Sequence, residues 1–193
     1  MLATPAPEAA ALVASIDADA AGWLRGVAYA PIATVALGAP ARAGAFAREP
    51  EGFGFLVPRG EAPALLGCLF PSELFAGRAP EGRHLLHCML GGVRAPEVLE
   101  LDDAGLARVA LADVDRFLGL RGDPEILRVG RWSRAVPQPR PGHRRALRDA
   151  RARLAARAPI ALAGSYTDGV SVPDSFAGGI AAAAALAGGS VVE

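Results

Sequence analysis

Lysine and asparagine are both absent from this sequence, and all 20 basic residues are arginine. The 20 acidic residues balance them, so the formal net charge is zero. A domain that binds nucleic acid normally carries an excess of basic residues along one face. Because this chain has no such excess, we expect no nucleic-acid partner. We attribute the lack of lysine and asparagine, beside abundant Ala, Gly and Pro, to GC-rich coding.

The arginines near the C-terminal end do cluster, but Asp149 interrupts them and their spacing is that of a helix. A solvated helix face explains such a cluster without any ligand. The members are Arg144, Arg145, Arg148, Arg151, Arg153 and Arg157.

Cysteine is scarce, and no long run is apolar enough to cross a membrane convincingly. Cys68 and Cys88 lie in apolar, strand-like segments, which favours buried free thiols; two cysteines alone cannot establish a disulfide. The most apolar stretch, Phe176 to Val192, consists largely of alanine and glycine. The first residues resemble no signal peptide. We therefore expect a cytoplasmic protein, with peripheral membrane association left open.

Several sequence signatures of catalysis are missing. No G-x-G-x-x-G opens a helix after a strand; Gly52-Phe53-Gly54 comes nearest and lacks the third glycine. There is no phosphate-binding loop of the Walker type, and Gly164-Ser165-Tyr166 is not the G-x-S-x-G of a hydrolase. His84, His87 and Cys88 resemble a set of metal ligands, but strand alternation would place the two histidines on opposite faces. We expect no metal site and assign no catalytic residue.

The hydrophobic pattern predicts an α+β fold, with a mixed, mainly antiparallel sheet flanked by helices. The Asp103–Leu118 helix has the clearest signals, an acidic N-cap at Asp102 or Asp103 and Gly119 at its end. Further helices are predicted over Pro5–Ala14, Asp17–Val27, Pro141–Ala158 and Pro173–Leu186. Strands are predicted over Ala28–Leu37, Gly52–Pro58, Ala64–Phe70, Arg83–Leu90, Glu125–Ala135 and Ile160–Ala163.

The last segment predicts a strand, a glycine-bounded loop and a helix. Asp174 could cap that helix, whose first turn would expose unpaired N–H groups. Such a helix start carries partial positive charge and favours an electron-rich oxygen. Small residues in the helix, Ala177 to Ala182, would allow another backbone or a planar ring to approach closely. A tightly packed helix start, without any ligand, would give the same pattern.

Five motifs stand in chain order along the sequence. They are Gly52–Pro58, Leu66–Ser72 with Arg78–Gly82, Met89–Gly92, Trp132–Gln138 with Gly142 and His143, and Ala161–Gly164 followed by Gly169–Asp174. Together these motifs resemble the oxygen-dependent protoporphyrinogen oxidase family of flavin enzymes. The last of them is similar to the family's last FAD-contacting loop and helix. Ser165 and Ser175 stand where the family usually has Asn and Cys.

This resemblance covers nearly the whole chain and implies a specific organisation. Residues 1–27 would be a helical lead-in from an FAD-binding domain, residues 28–135 a substrate-binding domain, and residues 136–193 a return to the FAD-binding domain. The dinucleotide-binding half would be absent from this chain. A partner is therefore expected, either that missing half or a second copy of the chain.

The resemblance also implies FAD as cofactor and a porphyrinogen as substrate. The chain would be part of an oxidase that converts protoporphyrinogen IX to protoporphyrin IX in haem biosynthesis. Leu56, Leu69 and Met89 match apolar positions that pack against the tetrapyrrole. Val170, Ser171 and Val172 match flavin contacts. A non-catalytic tetrapyrrole-binding module and an inactive remnant are alternative interpretations.

Overall fold

The computed structural model describes residues 1–188, which form two compact units. One unit joins residues 1–29 to the chain from Val136 onward, and the other is Ala30–Ala135. The α-helices are α1 (Ala6–Val13), α2 (Ala18–Arg25), α3 (Pro71–Leu74), α4 (Asp103–Leu118), α5 (His143–Ala155) and α6 (Val172–Leu186). The strands are β1 (Tyr29–Pro40), β2 (Gly54–Leu56), β3 (Leu65–Leu69), β4 (Arg83–Gly91) and β5 (Glu125–Pro137), and a 3₁₀ helix covers Pro96–Glu100.

The five strands form one sheet in the order β2-β3-β4-β1-β5, and β1 with β4, β3 with β4 and β2 with β3 pair antiparallel. Burial alternates along β4: Leu86, Cys88 and Leu90 are buried, whereas the residues between them are only half-buried. One face of the sheet therefore belongs to the core of this unit, and the other face is open. The structure confirms the predicted α+β class and the mainly antiparallel sheet.

Helix α4 supplies much of the core on the covered face. Its bounds are those that the sequence predicts, because both ends carry strong signals. The side chain of Asp102 accepts a hydrogen bond from Gly105 N–H, and Gly119 ends the helix in the left-handed conformation at φ 63°. Leu106, Ala110 and Val114 are fully buried, at the helical spacing of an amphipathic element.

The unit that contains both chain ends has a separate core, built from α1, α2, α5 and the segment around Leu162 and Tyr166. The predicted strand over residues 160–163 is wrong in extent. The structure has only a single parallel bridge there, between Leu2 and Leu162, closed by hydrogen bonds from Leu2 N–H to Ala161 O and from Ala163 N–H to Leu2 O. A strand needs a neighbour along its whole length, and the described residues provide one at this point alone.

Two short elements were missed by the sequence analysis, α3 and the 3₁₀ helix, each with proline in its first turn. Neither is long enough to show a helical repeat. Proline at the start of so short a segment is as typical of a turn as of a helix, and no element was predicted over either segment.

Asp17 connects α2 to α5 in the unit with both chain ends. Its buried carboxylate accepts a hydrogen bond from Ala20 N–H at 2.8 Å, and it pairs with Arg153 Nε at 3.0 Å and Arg157 Nε at 2.9 Å. The Ala20 amide and the Arg153 guanidinium lower the pKa of Asp17, although burial acts in the opposite direction. A carboxylate with a lowered pKa stabilises the fold above its unfolded pKa of about 3.9, and this contribution is lost as the pH falls through the folded value.

We therefore expect Asp17→Asn to lower the Tm at neutral pH by roughly 5 °C, since it keeps a capping oxygen but loses the charge. The difference from the wild type should shrink as the pH is lowered below about 4. Circular dichroism melts from pH 7 to pH 3 would measure both effects. A difference in Tm that stays constant over this range would contradict the role of the charge.

Candidate functional site

The three predicted substrate contacts lie together on the open face of the sheet. In register, Leu56 of β2 lies opposite Gly67 of β3, which lies opposite Met89 of β4. Directly opposed residues of an antiparallel pair project to the same face. Leu69 is two residues from Gly67 and so projects to this face as well. The side chain of Leu56 is 78% exposed, and those of Leu69 and Met89 are half-buried.

Two glycines let β2 lie unusually close to β3 at this place. A Cβ on Gly67 would lie 2.7 Å from Phe55 O and 3.0 Å from Leu56 Cδ2, so the leucine side chain lies over the glycine. A Cβ on Gly54 would lie 2.2 Å from Cys68 O, and Gly54 adopts φ 129°. The second glycine of the Gly-Phe-Gly-Phe-Leu motif therefore has a structural role, because the backbones of β2 and β3 approach closely there.

Two residues on the open face were not assigned a role from the sequence, Thr34 and His87. Thr34 lies opposite Met89, and His87 lies opposite both Leu69 and Ala36. Strand alternation from Met89 would have placed His87 on the face of the predicted substrate contacts, because the two residues are two positions apart. The open face thus carries an imidazole and a hydroxyl beside its apolar row.

The predicted flavin-contacting loop begins at Gly164, where φ is 134°. The backbone and the hydroxyl of Thr167 both donate to Gly164 O, at 3.0 Å and 2.7 Å, and close a turn. Tyr166 is buried in this turn, and burial raises its pKa to about 12. A ring nitrogen of His143 lies 2.7 Å from Tyr166 O. This turn fixes the start of the loop against α5.

Acidic side chains shape the rest of the loop. Burial alone would raise the pKa of Asp168, but the Arg151 guanidinium at 2.9 Å lowers it overall. The carboxylate of Asp174 occupies the space beside Gly169, where a Cβ would lie 2.3 Å from Asp174 Oδ2. Any larger residue at Gly169 would displace that carboxylate.

The predicted cap of α6 is corrected by the structure. The N-cap is Ser171, whose hydroxyl accepts a hydrogen bond from Asp174 N–H at 3.1 Å, and Asp174 lies inside the first turn. Serine precedes the helix by the spacing that suits a side-chain cap, whereas Asp174 follows Pro173 and is already helical. The Ser171 hydroxyl thus satisfies one of the helix N–H groups that were expected to be free.

The free amides lie just before the helix and at its first residue. The N–H groups of Gly169, Val170, Ser171 and Val172 have no acceptor among residues 1–188. Val170 and Val172 are 56% and 84% exposed. Consecutive amide donors flanked by exposed apolar side chains fit the edge of a heteroaromatic ring that carries carbonyl oxygens, as the flavin ring does. The residues predicted to contact FAD therefore suit that group.

A cavity of about 550 Å³ lies along α6, within the unit that joins residues 1–29 to the chain from Val136 onward. Small and aliphatic residues form most of its lining, with Arg151, Asp168 and Asp174 at polar positions. The glycine and alanines of α6 face it as Ala177, Gly178, Ala181, Ala182 and Ala185. The small residues of α6 thus line a cavity. This agrees with the expectation that they let another backbone or a planar ring approach closely.

His84 and the two cysteines make their contacts within the protein. Nδ1 of His84 lies 2.9 Å from a Glu73 oxygen, and its ring contacts Phe46 on the covered side of the sheet. Cys68 and Cys88 are free and buried, with 3.7 Å between their sulfur atoms; the contact with Cys68 and burial raise the pKa of Cys88. In the described part of the chain, no group of three or more His, Cys, Asp or Glu residues could hold a metal ion.

Among residues 1–188, no helix is both long and apolar enough to span a membrane. The apolar stretch that begins at Phe176 falls largely within α6, and its residues 189–192 lie outside the described part of the chain.

Curated proteins similar to this chain are named as coproporphyrinogen III oxidases or as protoporphyrinogen oxidases. It is 30% identical over 178 residues to a coproporphyrinogen III oxidase of Bacillus subtilis, covering 92% of this chain and 37% of that protein. It is 31% identical over 180 residues to a chloroplastic protoporphyrinogen oxidase of Nicotiana tabacum, covering 89% of this chain and 33% of that protein. The chain thus spans about a third of the length of these relatives.

Solved structures share the fold. The structure of an Exiguobacterium protein assigned as a protoporphyrinogen oxidase without proof of activity superposes with a TM-score of 0.79 at 23% identity, over 97% of this chain and 40% of that one. A reduced UDP-galactopyranose mutase gives a TM-score of 0.69 at 17% identity, over 89% of this chain and 37% of that one. At these identities the likeness concerns the fold alone.

The model of the family described as flavin containing amine oxidoreductase matches residues 1–187. That match covers nearly the whole chain, and the relatives named above agree with it. The chain belongs to the flavin-containing amine oxidoreductase family.

Proposed function

We propose that this chain is the substrate-side part of an FAD-dependent oxidase that converts protoporphyrinogen IX to protoporphyrin IX. The observation that carries the proposal is the common open face of Leu56, Leu69 and Met89, three residues from separate strands. An apolar sheet face of this kind suits a flat, largely apolar macrocycle. The relatives named as protoporphyrinogen and coproporphyrinogen oxidases support the substrate class.

In this proposal the two units have separate tasks. The open face of the sheet binds the macrocycle through Leu56, Leu69 and Met89 and removes water from the side that it covers. The amides of Gly169 to Val172 donate to the polar edge of the flavin ring, which orients it and favours negative charge there. When bound, FAD supplies the redox chemistry by accepting electrons from the substrate. The chain therefore does not need to supply an acid and a base on the sheet face.

FAD binding also needs a phosphate-binding element, and this sequence has no G-x-G-x-x-G. We propose that a nucleotide-binding segment acts together with this chain, either as part of a longer polypeptide or as a separate one. A second copy of the chain is the other arrangement that could complete the site. The remaining two thirds of the relatives' length are consistent with the first arrangement.

A second candidate is a tetrapyrrole-binding module without redox activity. The specific observation in its favour is that the apolar sheet face is complete within residues 30–135, whereas the dinucleotide fingerprint is absent from this sequence. The two candidates agree on porphyrin binding and differ on turnover.

Both can be tested with the purified chain and protoporphyrin IX. We expect saturable quenching or a shift of porphyrin fluorescence, with a dissociation constant in roughly the micromolar range. Protoporphyrinogen IX is then added with FAD and the part of the Bacillus subtilis relative that this chain does not cover, and porphyrin fluorescence is followed. Formation of porphyrin above the rate without this chain supports the oxidase. Binding without turnover favours the second candidate, and no binding contradicts both.

A further inference from the structure

His87 is a polar side chain on an otherwise mainly apolar sheet face. It follows Leu85 and precedes Met89 in the alternation of β4, and it lies opposite Leu69 and Ala36 on the neighbouring strands. The residue is half-buried, and its ring makes no hydrogen bond or ion pair with any residue in the described range 1–188. A partly buried polar group without a partner is costly unless a ligand or solvent satisfies it.

His84, on the same strand, provides the contrast. It projects to the covered side, where Glu73 lies 2.9 Å from Nδ1 and Phe46 packs against the ring. The protein itself satisfies the imidazole of His84, so packing explains that residue. Within residues 1–188, no comparable contact satisfies the imidazole of His87, so packing does not explain its place on the open face.

The polarity of the open face changes along β4. Met89 is apolar, and His87 lies two residues away, about 7 Å along the strand. Arg83 lies further on, with its guanidinium over Gly38 and 3.4 Å from Glu125, so a carboxylate of the protein already balances its charge. A ligand with an apolar body over Met89 and an anionic group about 7 Å from it would fit this order.

We propose that His87 determines specificity on this face by donating a hydrogen bond from its imidazole to a carboxylate side chain of the tetrapyrrole. The inference rests on the proposed function, and it adds the group that binds a carboxylate at the edge of the substrate. A hydrogen bond to an ionised carboxylate is shorter and stronger than one between neutral groups. The apolar contacts of Leu56, Leu69 and Met89 bind the ring, and His87 sets its orientation.

The test compares His87→Leu, His87→Gln and the wild-type chain with two ligands that differ only in their acidic groups. The ligands are protoporphyrin IX and its dimethyl ester, titrated in the same non-ionic detergent and followed by fluorescence. His84→Gln is the matched control, because it changes the other histidine of β4 on the opposite face. Circular dichroism verifies that each variant is folded.

We expect His87→Leu to weaken binding of the free acid about tenfold and to change binding of the ester by less than about twofold. His87→Gln keeps a donor and should recover part of the affinity, and His84→Gln should leave the ratio of the two ligands unchanged. Equal loss for acid and ester, or no loss for either, overturns the role of His87 while porphyrin binding stands. If the wild-type chain binds neither ligand, the proposed function itself fails, and this inference fails with it.

Discussion

Replacing Gly54 with alanine is expected to destabilise the sheet unit by about 3–5 kcal/mol. The added Cβ would lie 2.2 Å from Cys68 O and 2.8 Å from Leu69 Cα, which are backbone atoms that cannot move aside cheaply. The backbone at Gly54 also has φ 129°, a conformation that residues with a Cβ rarely adopt. Strand β2 would have to separate from β3. Urea or thermal unfolding followed by circular dichroism would measure the loss.

Gly52→Ala is the control, since Gly52 also has a positive φ, at 70°, but an added Cβ there would meet nothing within 4 Å. It should cost only about 1–2 kcal/mol, from the left-handed backbone alone. If the two alanine variants were equally stable, the close approach of β2 to β3 would be wrong. The role of the second glycine in the motif would then need another explanation.

Leu56→Asp is expected to reduce protoporphyrin IX binding by about 10- to 100-fold without changing stability measurably. The side chain is 78% exposed, so the fold does not depend on it. On the proposed substrate face, however, an aspartate would be desolvated under the macrocycle and would repel the carboxylates of the porphyrin. The affinity is measured by fluorescence titration and the stability by a thermal melt on the same preparations.

Val93→Asp makes the same change of charge at an exposed apolar residue in the loop after β4, where Val93 is 60% exposed. That variant should bind porphyrin as the wild type does. Equal losses of affinity in both variants would show a general electrostatic effect. Unchanged binding in Leu56→Asp would show that the tetrapyrrole lies elsewhere.

Much of the sheet and its helices could be predicted from the sequence, because local signals agreed with the tertiary structure there. The bounds of α4 follow from Asp102 and Gly119, and β4 from an apolar run between a glycine turn and two glycines. The segment at residues 160–163 could not be predicted, because whether it forms a strand depends on neighbouring chain and not on its own composition. The cap of α6 was misassigned since serine and aspartate both suit an N-cap, and only the backbone angles distinguish them.

The candidate site was predicted from resemblance for individual residues, and the structure supplied their spatial relation. Leu56, Leu69 and Met89 are far apart in sequence, and strand register alone brings them to one face. His87 had appeared in the sequence only as part of a rejected metal set. Its position beside Met89 on that face follows from strand alternation in β4, which is a signal that the sequence itself contains. The free amides of residues 169–172 could not be counted without the structure.

Retention of flavin tests most directly whether this chain supplies one part of an FAD site. The purified chain, the segment of the Bacillus subtilis relative that this chain does not cover, and a mixture of both are incubated with FAD and passed through a desalting column. Their visible absorption spectra are then compared, with a mixture containing Val172→Asp as a further sample. We expect the mixture to retain the most flavin, the chain alone to retain none, and Val172→Asp to weaken retention in the mixture. Equal retention by the segment with and without this chain would contradict the proposed contribution of Val170, Ser171 and Val172.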